Sequence, residues 1–547
     1  MILEYRLDYR SASDLYQRTF LQTLQESNLQ GNISQDHFEL RLFVESTTVE
    51  ALEAFVDRFA EALPHSLFLY DTQATLVEQM PSEQYSLQDV QIAPTAPCPR
   101  CLKELTDPQS ENYYNIFTHC SLCGYDIQGE TKSYQPELHS TAQAIQKGEI
   151  VAIDTMYGRY SVGLVSDICD RIECDLMAYD LATVERYTHC EAHELKALSS
   201  IEKPAIRLHK KLLFSVDLAE IERELFYVRF ADDAILSLLM EELHALGVAM
   251  IFISRESIES QRELTLIPTQ QELEPLRVVA SPKHILIVSG NRGLPQVAKV
   301  ERDSNPAIDR LYTIMDAYRV LSRHQSIVGI NLDREQSNNI IVYGEKFGVV
   351  EYLSFDFSFD SIDDIFTQIA STNESAKNLM TNYRNKFPEH YDSIKDISFA
   401  DSSFNIYKLW GIMAIILDFT PERDLDRAAD IVEQSAMVFQ GERGPRIDYK
   451  LINRDGKAHF DPLMSIRTAM SFKLAGVDKL SLSYGMIESF IEFINQQQDE
   501  LIQNMQTTAT VVTGSLLDNR VIFSKMSREL SASSDVYFAN NSIAVIL

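Results

Sequence analysis

Two short cysteine motifs, CPRC and CSLC, constrain this chain more than any other feature of its sequence. They supply Cys98, Cys101, Cys120 and Cys123, with a spacer of 18 residues between the motifs. Two CxxC pairs can place four thiolates at the corners of a tetrahedron, the geometry that Zn²⁺ adopts in closed structural sites. Without a metal, a module of about 30 residues would have almost no core of its own. The spacing therefore predicts a zinc ion that stabilises the module and, with no open position, does not catalyse.

A second cluster, HCEAH, contains His189, Cys190 and His193. Helical spacing would place the two histidines on one face, but only three ligands are available and acidic residues surround them. Two interpretations stay open, a metal site or the solvated face of a helix, and the surrounding charges favour the helix face.

The chain is acidic and otherwise of ordinary globular composition. Its 547 residues carry a net charge of −31, and at about 150 residues per domain they form three or four domains. The charge disfavours nucleic acid as a partner, because phosphates are repelled at long range. No apolar run approaches the ~20 residues that span a bilayer. Glu4 and Asp8 lie where a signal peptide would be basic and then apolar. Seven cysteines, four of them closely paired, favour a reducing compartment. We expect a cytoplasmic protein whose partners are proteins or small molecules.

The sequence divides into four regions, at residues 1–82, 90–135, 138–300 and 320–547. The first region is predicted to be a β-α-β-α-β unit, with Tyr16, Phe20 and Leu24 on one face of its first helix. The cysteine module forms the second region. The third and fourth regions alternate strands with helices. The fold class is therefore predicted to be mixed α/β and multidomain.

The cysteine module, CPRCLKELTDPQSENYYNIFTHCSLCG, resembles the first zinc finger of the HypF family. HypF is a carbamoyltransferase that helps to build the cyanide ligands of nickel–iron hydrogenases. In that family an acylphosphatase-like domain precedes the finger, and a YrdC-like domain and an actin-type ATPase-like domain follow it, which matches the order of the four regions. GEIVAIDTMYGRYSVGL (148–164) is similar to the opening of YrdC domains, and TGSLLDNRVIFSKM (513–526) is similar to the C-terminal domain. The resemblance implies a role in hydrogenase maturation, with a hydrogenase subunit or a maturation protein as partner.

The resemblance also implies contacts with a nucleotide. They are expected at Thr155, Tyr157, Ser289, Asn291, Asp333, Glu433 and Asn519. The simpler alternatives are that Glu433 is an acid on the surface of a helix and that Asn519 lies in a turn or caps a helix. The third region offers only scattered cations for a triphosphate, and the alternative interpretation is that they are ordinary surface charges. They are Arg159, Arg171, Lys203, Arg207, Lys210 and Lys211. No catalytic residue is assigned.

Several features of the family are missing, and most of them bind phosphate. The family has two tandem fingers, whereas this chain has one. SASDLYQR (11–18) stands where the family has a glycine-rich loop and an arginine for an acyl phosphate. This segment has no glycine, carries Asp14, and offers Arg18 as a displaced arginine. Gln35 lies near the place of a water-orienting asparagine. In the ATPase-like region, the loop REQSN (334–338) also lacks glycine.

Metal ligands of the family's ATPase-like domain are missing as well. His324 alone remains of an upstream histidine cluster, and a terminal Asp-Gly-Gly is replaced by Asn540, Asn541 and Ser542. Each lost ligand weakens binding of the ion that neutralises the nucleotide phosphates. The scaffold is thus predicted to persist without its chemistry.

Three hypotheses follow. The one we favour is a HypF-like accessory factor for nickel–iron hydrogenase maturation, with carbamoyl-phosphate and ATP chemistry largely lost. The second is an active carbamoyltransferase that makes carbamoyl adenylate, with ATP as a cofactor beside structural zinc. The third is an acidic zinc-finger module that binds an unrelated protein.

Overall fold

The computed structural model describes residues 1–36, 38–81, 95–127, 129–267, 272–294, 305–399, 403–454 and 456–539. The chain forms two compact units. The first holds Met1–Val278 and a segment that starts at Ser289, and the second holds Val279–Val288 and the chain from Asn305 onward. Most of the predicted linker at 82–97, and the predicted changes at Asn540, Asn541 and Ser542, lie outside the described residues.

The first unit begins with a four-stranded antiparallel sheet and two helices. In chain order these are β1 Ile2–Tyr9, α1 Leu15–Ser27, β2 Gln30–Asp36, β3 Glu39–Glu45, α2 Val49–Ala62 and β4 Leu69–Val77. The sheet order is β2-β3-β1-β4. Phe20, Phe55 and Phe59 of the helices are buried with Leu40 and Leu42 of β3, which makes this region an α+β layer.

The predicted order β-α-β-α-β omitted β2. This strand lies at the edge of the sheet, and Ile33 is its only buried residue. Its polar sequence therefore has no apolar alternation from which a strand could be predicted. Helix α1 also begins later than predicted, at Leu15. The Ser11 hydroxyl accepts a hydrogen bond from the Ser13 amide, and the Ser13 hydroxyl accepts one from the Leu15 amide. Such turns compete with helix.

The rest of the first unit is a helix of the cysteine module and a second α/β layer. Its helices are α3 Pro99–Thr106, α4 Gln135–Gln146, α5 Leu181–Tyr187, α6 Ala192–Leu198, α7 Leu212–Asp217 and α8 Ala234–Ala245. Its strands are β5 Val151–Thr155, β6 Gly158–Leu164, β7 Asp175–Ala178, β8 Thr188–His189, β9 Ala205–Lys210, β10 Leu225–Arg229, β11 Met250–Ser254, β12 Arg262–Leu264 and β13 Arg277–Ala280, and β14 Ile285–Ser289 follows.

The strands of this layer run in the order β12-β5-β6-β11-β7-β10-β9-β13, with β8 beside β9. Most neighbours are antiparallel, but β7 and β10 are parallel, with Val228 beside Leu176. Their carboxyl ends therefore reach the same edge of the sheet. Helix α8 follows β10 and is capped by Asp233, whose carboxylate accepts hydrogen bonds from the amides of Ile235 and Leu236.

The second unit places a five-stranded sheet among helices. Its helices are α9 Pro306–Ala317, α10 Ile362–Thr372, α11 Glu374–Lys386, α12 Pro388–Ile394, α13 Ile406–Ile416, α14 Leu425–Val438, α15 Pro462–Leu474, α16 Lys479–Met505 and α17 Arg520–Leu530. Its strands are β15 Ser326–Asn331, β16 Asn339–Gly344, β17 Gly348–Ser354, β18 Leu451–Arg454, β19 Lys457–Phe460, β20 Ala509–Thr513 and β21 Asp535–Ala539. Short 3₁₀ helices lie at Asp167–Asp170, Val320–Ser322 and Ser515–Asp518.

The sheet of the second unit has the order β17-β16-β15-β20-β21, and the predicted strands at 326–333 and 339–344 are β15 and β16. Trp410 lies in its core, and its indole nitrogen donates to the Tyr449 hydroxyl at 3.1 Å. Gly514 directly follows β20 and has a φ of +116°, and a Cβ there would lie 2.0 Å from the carbonyl oxygen of Leu332. Only glycine fits such an approach. None of the helices described in the structure is both long and apolar enough to cross a membrane.

Candidate functional site

The four predicted metal ligands lie together. Cys98 Sγ lies 3.6 Å from Cys101 Sγ and 4.0 Å from Cys120 Sγ, and Cys101 Sγ lies 3.8 Å from Cys123 Sγ. Tetrahedral Zn²⁺ with Zn–S distances of about 2.3 Å would separate its sulfurs by about 3.8 Å. Gly124 turns the second knuckle at φ +69°, and its amide donates to the Cys120 carbonyl. The residues present therefore fit a four-coordinate metal such as zinc.

The HCEAH segment does not form a comparable cluster. His189 belongs to strand β8 and stacks on His209 at 5.0 Å, while α6 begins only at Ala192. The expected common helix face is therefore wrong, because the segment spans the end of a strand and the start of a helix. Among the described residues, the group of cysteines above is the one set of three or more side chains that meets the distance requirement for a metal.

Two of the predicted residues of the third region, Thr155 and Asn291, make hydrogen bonds with the backbone. Thr155 donates its hydroxyl proton to the Gly158 carbonyl at 2.9 Å and accepts from the Tyr157 amide at 3.1 Å, so it closes the turn between β5 and β6. Asn291 accepts from the Glu274 amide at 3.2 Å. Through these contacts the side chains of Thr155 and Asn291 stabilise the nearby backbone. Their contact with a nucleotide stays a prediction.

A polar pocket of about 250 Å³ lies in the same unit. Ser289 lines it, together with three arginines, Arg229, Arg255 and Arg277. Guanidinium groups in a pocket are the usual partners of phosphates. Whether these three are available depends on the contacts that they make inside the protein.

Two of the arginines are neutralised by acids. Arg229, 1% exposed, donates to Asp232 at 2.9 Å. Arg277 donates to Asp175 at 3.2 Å and to Glu173 at 3.1 Å. Burial alone would raise the pKa of Asp175, whereas Arg229 and Arg277 lower it, and the net direction is upward. The carboxylates thus compete with any phosphate for these cations.

The third arginine is held by the backbone. Arg255 Nη2 donates to the carbonyl oxygens of Tyr157 and Leu273 and to the Tyr160 hydroxyl. The guanidinium therefore fixes the loop after β5 and the segment before β13. Its Nη2 is therefore used within the protein.

Two predicted residues of the fourth region, Glu433 and Asn519, meet around an arginine that the sequence did not single out. Arg334 lies in the loop between β15 and β16. Its Nε and Nη2 donate to the two carboxylate oxygens of Glu433, at 3.0 and 3.2 Å. Its Nη1 donates to the Ser515 carbonyl at 2.5 Å and lies 3.4 Å from an Asp518 carboxylate oxygen. With Asn519, these residues form what we call the Arg334 cluster.

Asn519 and Asp333 complete the surroundings of this cluster. Asn519 donates to a Glu433 carboxylate oxygen at 3.3 Å, while its own amide oxygen caps α17 by accepting from Val521. Asp333 pairs with Arg310 at 3.3 Å. Glu433 is buried, so its interpretation as a surface acid is wrong, and Asn519 is a helix cap as the alternative interpretation held.

The electrostatics of the cluster favour the charged guanidinium. Burial by itself lowers the pKa of Arg334, but Glu433 and then Asp518 raise it, and the net shift is upward. The guanidinium of Arg334 therefore stays charged at every physiological pH. Because it occupies both Glu433 oxygens, a divalent ion would have to displace it to use that carboxylate. Sequence reasoning missed Arg334, although an arginine directly after Asp333 in a loop without glycine was a visible signal.

The acylphosphatase-like region shows the same kind of pairing. Arg18 Nε donates to an Asp14 carboxylate oxygen at 2.8 Å, one helical turn away. Gln35 accepts from the Gln17 side chain at 3.1 Å. The arginine that could have held an acyl phosphate is thus partnered within helix α1.

The chain is similar along most of its length to known proteins. No protein-family model matches it. It is 24% identical over 507 residues to Protein HydE of Wolinella succinogenes, covering 88% of each chain. A crystal structure of full-length HypF in the phosphate- and nucleotide-bound form matches 100% of this chain and 97% of its own, with a TM-score of 0.61 and 15% identity. HypF of T. kodakarensis matches over the same shares with a TM-score of 0.64 and 12% identity. The predicted fold class is therefore confirmed, and the chain has the mixed α/β multidomain fold of HypF.

Proposed function

We propose that this chain is a non-catalytic, HypF-like accessory factor in the maturation of nickel–iron hydrogenases. It binds a hydrogenase subunit or another maturation protein and turns over neither carbamoyl phosphate nor ATP. The observation that carries the proposal is the Arg334 cluster, in which a guanidinium is bound by Glu433 where the resemblance implies a nucleotide site.

The same arrangement recurs outside this cluster. In three regions an arginine is paired with a carboxylate of the chain: Arg18 with Asp14, Arg277 with Asp175, and Arg334 with Glu433. A phosphate would have to displace a carboxylate from each of them, and the freed carboxylate would then repel it. This repetition supports loss of phosphate chemistry in more than one region, as opposed to a single inactivating change.

The proposed role as a scaffold rests on what the chain keeps. Its fold matches HypF over the full length, and its similarity to Protein HydE extends over 88% of both chains. The four buried cysteines fit a structural metal. We expect a binding partner in the same process to keep an intact fold even where its arginines, such as Arg18 and Arg334, are paired with carboxylates.

Loss of chemistry is tested by ATP–pyrophosphate exchange with the purified, zinc-loaded full chain. An active HypF serves as positive control, and carbamoyl phosphate is added or omitted. We expect no exchange above the background of a heat-denatured sample. Exchange that requires carbamoyl phosphate would replace this proposal with the active carbamoyltransferase.

The scaffold role is tested by capture from the source organism under hydrogenase-producing conditions. The tagged full chain is compared with the tag alone, and bound proteins are identified by mass spectrometry. We expect enrichment of a hydrogenase subunit or a hydrogenase maturation protein. Enrichment of neither, with the bait folded and abundant, would contradict the role and favour a zinc-finger module for an unrelated partner.

A further inference from the structure

A second cavity of about 590 Å³ lies in the first unit, away from the arginine pocket. Tyr179 and Asp180, which directly follow β7, line it together with Phe230 and Ala231, which directly follow β10. Because β7 and β10 are parallel neighbours, the cavity lies outside the carboxyl ends of two adjacent strands. Open α/β sheets bind ligands at this edge, and the volume is in the range of small-molecule sites.

The walls of the cavity are mainly apolar. They include Leu102 of α3, Leu181 and Ala182 of α5, and Leu238 and Met240 of α8. Leu181 is 38% exposed, so an apolar side chain stands at the opening. Such a lining favours a ligand with an apolar body.

The acids of the cavity are already used by the protein. Glu241 accepts a hydrogen bond from the Tyr179 hydroxyl at 3.0 Å. Asp180 caps α5 and accepts from the amide and the hydroxyl of Thr183, at 2.8 and 2.6 Å. Neither acid neutralises a cation there.

Lys103 of α3 lines the cavity from an exposed position, and the half-buried cation of the lining is Lys203. Its ammonium makes one long contact, 3.4 Å to the Ser199 carbonyl, and lies 5.9 Å from the centre of the Phe230 ring. Among the described residues, no carboxylate forms an ion pair with it. Neighbouring Glu202 is occupied by the Ser66 hydroxyl, at 2.6 Å. Burial lowers the pKa of Lys203 by more than the charge of neighbouring Glu202 raises it.

The backbone of Lys203 is also unusual. Its φ is +47°, in the left-handed region that side chains other than glycine's rarely adopt. Such a conformation persists only when its surroundings impose it, and it concentrates at functional sites. Here it accompanies the placement of an ammonium group in an apolar cavity.

We propose that this cavity binds a small monocarboxylate with an apolar body, whose carboxylate contacts Lys203 Nζ. The half-buried ammonium of Lys203 matches one negative charge, and the apolar walls disfavour the several charges of a phosphate ester. The site is distinct from every residue of the proposed function, so either proposal can fail without the other.

The test is isothermal titration calorimetry of the full chain with octanoate, and with octan-1-ol as the uncharged ligand of the same shape. Lys203→Met removes the charge but keeps a long side chain at the same φ. Ala182→Trp fills the opening of the cavity. Lys147→Met, at an exposed position on α4's C-terminal end, is the matched charge control.

Wild type and Lys147→Met should bind octanoate with a Kd below about 1 mM and octan-1-ol at least about tenfold more weakly. Lys203→Met should bind both ligands equally, and Ala182→Trp should bind neither. Octanoate binding by Lys203→Met as tight as that of the wild type, or any octanoate binding by Ala182→Trp, would overturn the site. Absence of octanoate binding by the wild type would overturn the ligand class.

Discussion

Replacement of Arg334 by methionine tests whether the Arg334 cluster holds the second unit together. Breaking a buried ion pair by removing one partner costs about 3–5 kcal/mol, because the remaining charge is left unpaired. Glu433 is only 5% exposed at its side chain, but Arg334 and Asp518 are 25% and 27% exposed. Solvent therefore screens part of the loss, and we expect Arg334→Met to lower the free energy of unfolding by about 2–3 kcal/mol.

The single tryptophan of the chain makes this measurable in one unit. Trp410 is buried in the core of the second unit, so its fluorescence during urea unfolding reports on that unit. Arg454→Met, at an exposed position in the β18–β19 hairpin, is the matched control and should leave the midpoint unchanged. Adding Glu433→Gln to Arg334→Met removes the unpaired charge and should recover about half of the loss.

Two results would refute this reasoning. One is an unfolding midpoint of Arg334→Met equal to that of the control. The other is a double variant whose loss equals the sum of the two single losses, because independent residues add whereas paired residues do not.

Three further predictions concern other parts of the chain. Cys120→Ser should lose the metal that the wild type binds in one equivalent, as seen by elemental analysis, and a full equivalent in the variant would argue against the four-sulfur site. Burial first, and then the charge of the preceding aspartate, raise the pKa of Asp233 to about 6. Since this exceeds the value of about 3.9 in the unfolded chain, stability should fall as pH rises from about 4 to about 6. Asp233→Asn should flatten that part of the melting-temperature profile, and an unchanged slope would contradict the assignment. Gly514→Ala should lower the stability reported by tryptophan fluorescence by more than about 2 kcal/mol, because its Cβ would meet the Leu332 carbonyl oxygen at 2.0 Å. Gly456→Ala, at φ +78° with nothing within 4 Å, should cost only about 1 kcal/mol, and equal losses would exclude the clash as the cause.

The helices and buried strands were predictable because apolar periodicity reports directly on a buried face. Phe20 and Leu24 indicated α1 in this way, and β15 and β16 appear where their apolar runs predicted them. Strand β2 was missed since its stability comes from pairing with β3 at the edge of the sheet, which leaves no pattern in its own residues.

The candidate sites also differ in how far the sequence predicted them. The cysteine site was predictable because its ligands are local, in two pairs separated by 18 residues, and tetrahedral coordination needs little else. Asp333, Glu433 and Asn519 were predicted from resemblance alone. The fold brings Glu433 and Asn519 into contact, whereas Asp333 pairs with Arg310.

The sequence by itself determined the cysteine module, the acidic character of the chain and the absence of glycine from two loops that bind phosphate in the HypF family. Only the tertiary structure decided what occupies those places. Arg334 meets Glu433 across 99 positions of the chain, and Lys203 lines a cavity whose acids Asp180 and Glu241 are hydrogen-bonded to other groups. Side-chain pairing between distant segments depends on the path of the backbone, and no local pattern of residues encodes it.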